Sequence, residues 1–182
     1  MNKQSFLLSV LFLLSFQVLI AQTTTTHNAK SKTTKSKSKK TETTSTSGFD
    51  AQMLAAVNKL RASGCDCGGE MMPPVKPLKW ESHLTKAAQN HANDMAEHDH
   101  FDHFGTDGSA PEERIAKAGW TKTLAIGENI GMGYKNIAEA MEGWKNSPHH
   151  CKAMMDKNAF EMGAARNGKM WCQDFGKRET EE

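Results

Sequence analysis

The sequence predicts an α+β domain in which helices pack on an antiparallel sheet, preceded by an export signal and a polar linker. Helical periodicity dominates the first part of the folded region, and short strand-like runs concentrate towards its C-terminal end. Asn167-Gly168 separates two of these runs, which is typical of a β-hairpin. Because most helices precede the strands, the order favours α+β over an alternating α/β fold.

Residues 1–21 are typical of a secretory signal peptide. Lys3 precedes a largely apolar run from Phe6 to Ile20, and Ala21 is a small residue suited to cleavage. A membrane-spanning helix needs about 20 apolar residues, and this run is shorter and interrupted by polar side chains. We therefore expect a secreted or periplasmic protein, with an uncleaved membrane anchor as the alternative.

Residues 22–48 form a segment rich in Thr, Ser and Lys with almost no apolar side chains. Such a segment cannot bury enough surface to offset its ordering entropy, so we expect a disordered linker. Its six lysines are opposed by a single acidic residue, Glu42. A cationic arm of this kind can contact anionic envelope polymers or lipid headgroups, or it can be a spacer without a partner.

Residues 49–176 remain for the folded domain, a common domain size, and residues 177–182 form a charged tail. The formal net charge of the chain is +2 and aromatic residues make up 7% of it. This balance argues against a nucleic-acid partner, because neither a basic surface nor base-stacking side chains are abundant.

Five helices are predicted in this region, each from apolar side chains at helical spacing behind a capping residue. The predicted caps are Asp50, Ser82, Ser109, Asn136 and Ser147. Strands are predicted around residues 124–130, 160–166 and 170–175, where apolar runs lie between Gly-containing breaks.

The mature chain holds four cysteines, Cys65, Cys67, Cys151 and Cys172. An even count in an exported protein predicts disulfides, of which three pairings are possible. We favour two long-range bridges from the Cys65/Cys67 loop, one to Cys151 and one to Cys172, each worth about 4 kcal/mol in the loop-entropy model. A four-cysteine zinc site and a free, nucleophilic Cys151 beside His150 are weaker alternatives.

Three of the eight histidines lie in the run from His98 to His103, which also contains two aspartates. Imidazole and carboxylate groups at this density can bind a metal, although His98 and His100 are equally consistent with a solvated loop. His91 falls on the apolar face of its helix and is predicted to be packed in the core. His103 differs because the Gly-rich turn after it can fold its side chain back towards the core.

Several segments together resemble the CAP superfamily, also called the SCP or cysteine-rich secretory protein family, and above all its bacterial members. They occur in the family's order across residues 50–176. The segments are Pro77-Leu78-Lys79-Trp80, Ala87 to Met95, Phe101-Asp102-His103, Asp107-Gly108-Ser109, Arg114, Gly119-Trp120, Gly127-Glu128-Asn129-Ile130, Trp144, Ser147-Pro148-His149-His150, Met162-Gly163-Ala164 and Trp171 to Gly176. The Gly-Glu-Asn-Ile and Ser-Pro-x-His motifs are the most specific.

The resemblance implies a three-layer α-β-α sandwich with a wide cleft that binds divalent metal in some family members. By motif, His103, Glu128 and His150 fall on the cleft positions. Two imidazoles and a carboxylate would supply three ligands and leave positions open, as in an open zinc site, so the implied cofactor is Zn²⁺ or another divalent cation. Without metal, Glu128 would be the candidate catalytic base; alternatively its carboxylate is purely structural.

The chain departs from the family pattern close to these residues. The second acidic residue of the family, where present, falls at Ser147, and His149 replaces a glycine of related sequences. Ala153-Met154 stands where related sequences have Asn-Ile after the histidine of the Ser-Pro-x-His motif, so a polar contact is missing there. These differences bear on inherited chemistry more than on fold.

Two functions are consistent with these observations. The first is a binding module whose cleft engages an envelope component, a lipid or a host surface, with membrane contact only through the basic linker. The second is a metal-dependent or acid/base hydrolase, such as a peptidase, that uses the same cleft. The sequence lacks the His-Glu-x-x-His and Gly-x-Ser-x-Gly motifs of common hydrolases, which favours the first. A structural envelope protein is a third, weaker hypothesis.

Overall fold

The computed structural model describes residues 48–120 and 123–178. The signal peptide predicted at residues 1–21 and residues 22–47 of the predicted linker lie outside the described residues. Gly48 already belongs to the first helix, and the last strand extends to Arg178, so the folded region is slightly longer at both ends than the predicted 49–176. Within the part of the chain that the structure describes, no helix combines the length and apolar character needed to cross a bilayer.

Five helices and six strands follow one another along the described residues. They are α1 (Gly48–Ser63), β1 (Cys65–Asp66), β2 (Met71–Met72), β3 (Lys79–Trp80), α2 (Ser82–Glu97), α3 (Pro111–Lys117), β4 (Thr123–Met132), α4 (Ile137–Lys145), α5 (Pro148–Met155), β5 (Glu161–Asn167) and β6 (Met170–Arg178). The α+β class is therefore confirmed.

The main sheet has the strand order β3-β5-β6-β4. Strand β6 pairs antiparallel with both β4 and β5, and the predicted turn at Asn167-Gly168 joins β5 to β6. The short edge strand β3 pairs parallel with β5, so the sheet is antiparallel except at this edge. Strands β1 and β2 form a separate two-stranded pair.

Alternation along β6 gives the sheet two buried faces, which explains the three layers. Trp171 and Phe175 point to one face, where they pack with apolar residues of α1, α4 and α5. Met170 and Cys172 point to the opposite face, where they pack with Ala88 and other residues of α2. The sheet therefore lies between α2 on one side and α1, α4 and α5 on the other.

Helix α2 approaches the sheet very closely at Gly163 of β5. A Cβ atom at this position would overlap backbone atoms of Leu84 and Thr85. Backbone atoms cannot move aside as the end of a flexible side chain can. The glycine is therefore a steric requirement for the packing of α2 on β5.

The predicted helix caps are correct at some positions and wrong at others. Asn136 caps α4 as predicted, because its side chain accepts a hydrogen bond from Glu139 N. At α2 the cap is Glu81 rather than Ser82, since the longer carboxylate accepts from the amides of His83 and Leu84. At α3 the cap position is Ala110 rather than Ser109, one residue later along the chain.

The structure pairs Cys67 with Cys151, with 5.5 Å between their Cα atoms. The second predicted bridge, to Cys172, is wrong: Cys65 and Cys172 are free and buried. Cys172 packs on the α2 side of the sheet, whereas Cys65 packs beside Cys151 and Met155 of α5, on the other side. The sheet thus separates Cys172 from the Cys65/Cys67 loop to which the prediction joined it.

Candidate functional site

His103 and His150, two of the predicted site residues, line a common cavity of about 280 Å³. His103 lies in the loop between α2 and α3, and His150 lies in α5. Phe101, Asp102 and Ile130 complete the lining. We call this cavity the cleft. The fold therefore brings together two imidazoles that lie far apart along the chain.

Glu128, the third predicted residue, lies in β4 behind His103, and 2% of its side chain is exposed. Its Oε1 atom is 2.8 Å from Nδ1 of His103. Its Oε2 atom accepts a hydrogen bond from Nη2 of Arg114 at 2.5 Å. Both carboxylate oxygens are therefore engaged, and neither belongs to the lining of the cleft. Glu128 is placed to orient His103 from behind.

The Glu128 carboxylate is held in its charged form by its neighbours. Burial alone raises the pKa of a carboxyl group, but the hydrogen bond with His103 and the positive charge of Arg114 lower the pKa of Glu128 below its ordinary value. The same hydrogen bond is the main cause of a raised pKa at His103. Glu128 and His103 thus stabilise each other's charged forms.

His150 is in a different electrostatic state. Burial lowers its pKa, and the charges of His103 and His149 lower it further. A lowered pKa keeps the imidazole neutral near neutral pH, and a neutral imidazole is the form that binds metal.

Asp174 of β6 is a second buried carboxyl group, directly opposite Glu128 in the β4–β6 register. Burial raises the pKa of Asp174 well above its ordinary value, and the negative charge of Glu128 raises it further. A side-chain hydrogen bond with Glu128 raises the pKa of Asp174 as well, so the neutral acid of Asp174 is favoured beside the Glu128 carboxylate. Cys172 Sγ lies 3.6 Å from Oε2 of Glu128 and closes this buried cluster.

Asn129, the neighbour of Glu128, fixes the position of α5. Its side-chain amide donates to the carbonyl oxygen of His150 at 3.1 Å and to Oε1 of Gln173 at 3.2 Å. Consecutive strand residues point to opposite faces. Glu128 therefore reaches His103 on one face while Asn129 reaches the backbone of His150 on the other.

The remaining predictions for the histidine-rich segment are in accord with the geometry. His91 is fully buried, and its Nε2 atom lies 3.0 Å from the carbonyl oxygen of Asp102, so it is a packed residue. Nδ1 of His98 lies near Asp94, and Nε2 of His100 lies 3.1 Å from the carbonyl oxygen of Phe104. Neither His98 nor His100 lines the cleft.

The structure brings only part of the predicted ligand set of His103, Glu128 and His150 close together. Among the described residues, the sets of three potential ligand atoms within 4.8 Å of one another are Cys65, Cys67, Cys151 and Glu128, Cys172, Asp174. His103, Glu128 and His150 do not form such a set. Asp102 is instead the acidic residue that lines the cleft beside His103.

Sequence reasoning assigned no role to Arg114 or Asp174 beyond their places in the motifs, and it considered Asp102 only as one carboxylate of the histidine-rich run. Arg114 lies between Ser109 and Glu128, donating to the carbonyl oxygen of the first at 2.7 Å and to the carboxylate of the second. The alternation of β6 was a usable signal for Asp174, because Met170, Cys172 and Asp174 share one face and two of the three are apolar. A carboxyl group on such a face requires a buried partner.

The family model described as CAP, cysteine-rich secretory protein family, matches residues 54–174. The chain belongs to this family. Two curated relatives come from Bacillus subtilis (strain 168), the uncharacterized membrane protein YlbC and the uncharacterized protein YkwD, and each is 31% identical, over 101 and 103 residues. The alignments cover 56% of this chain but 29% of YlbC and 40% of YkwD. The chain thus spans less than half of the length of either relative.

Solved structures with the CAP architecture are also similar. An extracellular protein containing a SCP domain from Bacillus anthracis str. Ames aligns with a TM-score of 0.63 and 23% identity, over 70% of this chain and 40% of that one. An outer surface protein from Borrelia burgdorferi aligns with a TM-score of 0.57 and 21% identity, over 71% of this chain and 89% of that one. At these identities the likeness establishes the fold, and it confirms the α+β architecture.

Proposed function

We propose that this CAP protein is an exported binding module whose cleft holds a divalent cation, such as Zn²⁺, between His103 and His150. The observation that carries the proposal is that these two imidazoles line one cavity while a buried carboxylate, Glu128, fixes the ring of the first. The ligand of the whole module is of envelope, lipid or host-surface type.

The donor set fits a cation that prefers imidazole nitrogen. Because Nδ1 of His103 is engaged by Glu128, Nε2 is the ring nitrogen left for a ligand bond. A carboxylate behind a histidine fixes its tautomer and raises its basicity, an arrangement common in protein zinc sites. Asp102 and water would complete the coordination, and a cation in this position would attract a negatively charged or carbonyl-bearing group of a ligand.

Export is supported by two independent features. Residues 1–21 have the composition of a signal peptide, and the two similar structures are named as an extracellular protein and an outer surface protein. The Lys-rich segment before the domain adds a cationic arm that suits an anionic envelope polymer or lipid headgroup. Together they support a cleft presented outside the cytoplasm.

The geometry favours binding over the alternative of a hydrolase based on Glu128. A general base needs an oxygen within reach of a water molecule in the cleft. Both oxygens of Glu128 are engaged by His103 and Arg114, and the side chain is almost fully buried. The hydrolase alternative is tested by measuring peptide hydrolysis with the wild type and with Glu128→Gln. An activity that is present in the wild type and lost in Glu128→Gln would support the hydrolase.

Thermal unfolding of the domain with and without zinc tests the proposal. Zinc at about one hundred times its dissociation constant adds roughly 2.7 kcal/mol to the free energy of unfolding, so the melting temperature of the wild type should rise. His103→Ala and His150→Ala should abolish the rise. His98→Ala is the matched control, because His98 lies in the same histidine-rich segment but outside the cleft. An equal rise in all four proteins would place zinc elsewhere.

A further inference from the structure

Three sulfur atoms meet where the loop after α1 contacts α5. Cys67 and Cys151 are bonded. The free Cys65 has its Sγ atom 3.4 Å from Sγ of Cys151 and 3.7 Å from Sγ of Cys67. A thiol in van der Waals contact with both sulfurs of a disulfide is close to the bond that a thiolate attacks in thiol–disulfide exchange.

The cluster is closed to outside reagents. Cys65 is 8% exposed, and Cys67 and Cys151 are 1% exposed or less. Met155 belongs to the same buried cluster as the three cysteines, and Leu60 packs against that cluster. A solvent thiol cannot reach the bond without opening the cluster, so Cys65 is the nucleophile in place.

The loop that carries Cys65 and Cys67 is flanked by glycines, and Cys65 and Asp66 form β1, which pairs with β2. Gly64 precedes Cys65, and Gly68 and Gly69 follow Cys67, and all three have positive φ angles. The three sulfurs form a triangle, whereas an attacking sulfur approaches along the axis of the bond that breaks. In-line attack by Cys65 therefore requires the Cys65-Asp66-Cys67 segment to shift, which means that the pairing of β1 with β2 opens locally.

We propose that the disulfide of this protein is exchangeable, and that Cys151 is bridged alternately to Cys67 and to Cys65. The Cys65 thiolate attacks Sγ of Cys151, a Cys65–Cys151 bond forms, and the Cys67–Cys151 bond breaks. The electron pair of the broken bond leaves with the Cys67 sulfur, which takes up the proton that Cys65 lost. One thiol and one disulfide are present before and after, so no oxidant or reductant is consumed.

The exchange is coupled to the cleft because Cys151 directly follows His150 in α5. When the bridge partner of Cys151 changes from Cys67 to Cys65, the start of α5 is linked to a different point of the loop. The two bridge isomers therefore hold His150 in different positions. This device does not depend on metal binding, since it follows from the sulfur positions and the chain connection alone.

Peptide mapping of the wild type tests the exchange directly. The full chain is incubated without reductant at pH 7 and at pH 9, quenched with acid, alkylated and fragmented in a mass spectrometer. We expect Cys172 to be alkylated in all molecules, together with Cys65 in some of them and with Cys67 in the rest. This mixture should be reached faster at pH 9, because the thiolate is the nucleophile. Burial raises the pKa of the Cys65 thiol above its ordinary value, while the charge of Lys145 lowers it and that of Asp66 raises it, so the thiolate is scarcer at pH 7 than at pH 9. Alkylation of Cys65 but never Cys67 would overturn the proposal.

Two variants lock the isomers. Cys65→Ser keeps the Cys67–Cys151 bridge, and Cys67→Ser should form Cys65–Cys151, which leaves only Cys172 open to alkylation after denaturation. Cys172→Ser is the control, because its exchange should equal that of the wild type. The imidazole NMR signal of His150 should differ between the locked variants while that of the distant His83 stays unchanged. Alkylation of Cys65 and Cys151 together in Cys67→Ser would refute the second isomer, and identical His150 signals would refute its coupling to the cleft.

Discussion

Arg114 and Glu128 form an ion pair from which water is almost completely excluded. Nη2 of Arg114 lies 2.5 Å from Oε2 of Glu128, with 9% and 2% of the two side chains exposed. Arg114 comes from α3 and Glu128 from β4. The pair therefore fixes the loop region that carries His103 to the sheet that carries the carboxylate, and it leaves the other oxygen of Glu128 for His103.

The first prediction concerns Arg114→Ala. Removing one partner of a buried ion pair leaves an uncompensated charge and costs about 3–5 kcal/mol. Urea unfolding should show a loss of that size. Lys117→Ala, on the same helix but with an exposed ion pair to Asp107, should cost less than about 1 kcal/mol.

A second substitution separates the charge from packing. If the cost of Arg114→Ala arises from the unpaired carboxylate, adding Glu128→Gln should recover part of the lost stability, because the remaining group is then neutral. A double variant as unstable as the sum of both single variants would mean that Arg114 acts through packing instead.

Much of the fold was predictable because it follows local rules. Apolar spacing predicted five helices, and the Asn167-Gly168 turn predicted the β5–β6 hairpin. The short strand β3 was not predicted, since two residues carry no periodicity, and its pairing with β5 depends on chain crossover. Cap residues were misplaced at α2 because Glu81, rather than Ser82, reaches the first amides.

The site residues that belong to a recognisable motif could be predicted from the sequence. The residues that only the packing brings to the site could not. The resemblance placed His103, Glu128 and His150 near one another, and the structure shows His103 hydrogen-bonded to Glu128 and sharing the cleft with His150. Arg114 was missed as the partner of Glu128, because pairing between buried groups on different elements has no signature along the chain. The alternation of β6 indicated that Asp174 is buried but not that Glu128 lies opposite it. The Cys172 bridge was wrong for the related reason that sequence does not reveal which side of the sheet a thiol occupies.

The second prediction concerns the orientation of His103. Glu128→Gln replaces the carboxylate behind the ring by an amide of the same shape. Loss of such a supporting carboxylate costs about 10- to 100-fold in metal affinity, so the zinc dissociation constant measured by calorimetry should rise by that factor. An unchanged constant would show that Glu128 does not support the metal-binding imidazole. Glu81→Gln, at the cap of α2 and remote from the cleft lining, is the control for binding.

The third prediction concerns the contact between α2 and β5. Gly163→Ala places a Cβ atom against the backbone of Leu84 and Thr85, which cannot yield without moving the helix. Overpacking of a rigid contact costs about 1–3 kcal/mol or more, and thermal unfolding should show the loss. Gly127→Ala in β4 is the matched control, because its Cβ would meet only Ala153 at an ordinary 3.5 Å. If both variants lose the same stability, the loss comes from replacing glycine in the backbone and not from the overlap with α2.

The fourth prediction concerns the pH dependence of stability that Asp174 imposes. Burial and the charge of Glu128 raise its folded-state pKa above the unfolded value of about 3.9. The favourable contribution of the protonated form is therefore complete below about pH 4 and is lost as the pH rises through the folded-state pKa. Asp174→Asn keeps a donor for Glu128 and removes the titration. The free energy of unfolding of Asp174→Asn minus that of the wild type should increase as the pH rises from 5, by at most about 1.4 kcal/mol per pH unit.

The sign of that trend distinguishes Asp174 from an ordinary surface acid. The hydrogen bond from Lys169 lowers the pKa of the exposed Asp99, so the contribution of Asp99 is already complete above the unfolded pKa and is lost only as the pH falls through its lower folded-state value. Urea unfolding of Asp99→Asn should therefore differ from the wild type by a constant amount between pH 5 and pH 9. If Asp174→Asn shows the same constant difference, Asp174 is ionised in the native protein at pH 5, and the proton shared with Glu128 does not exist.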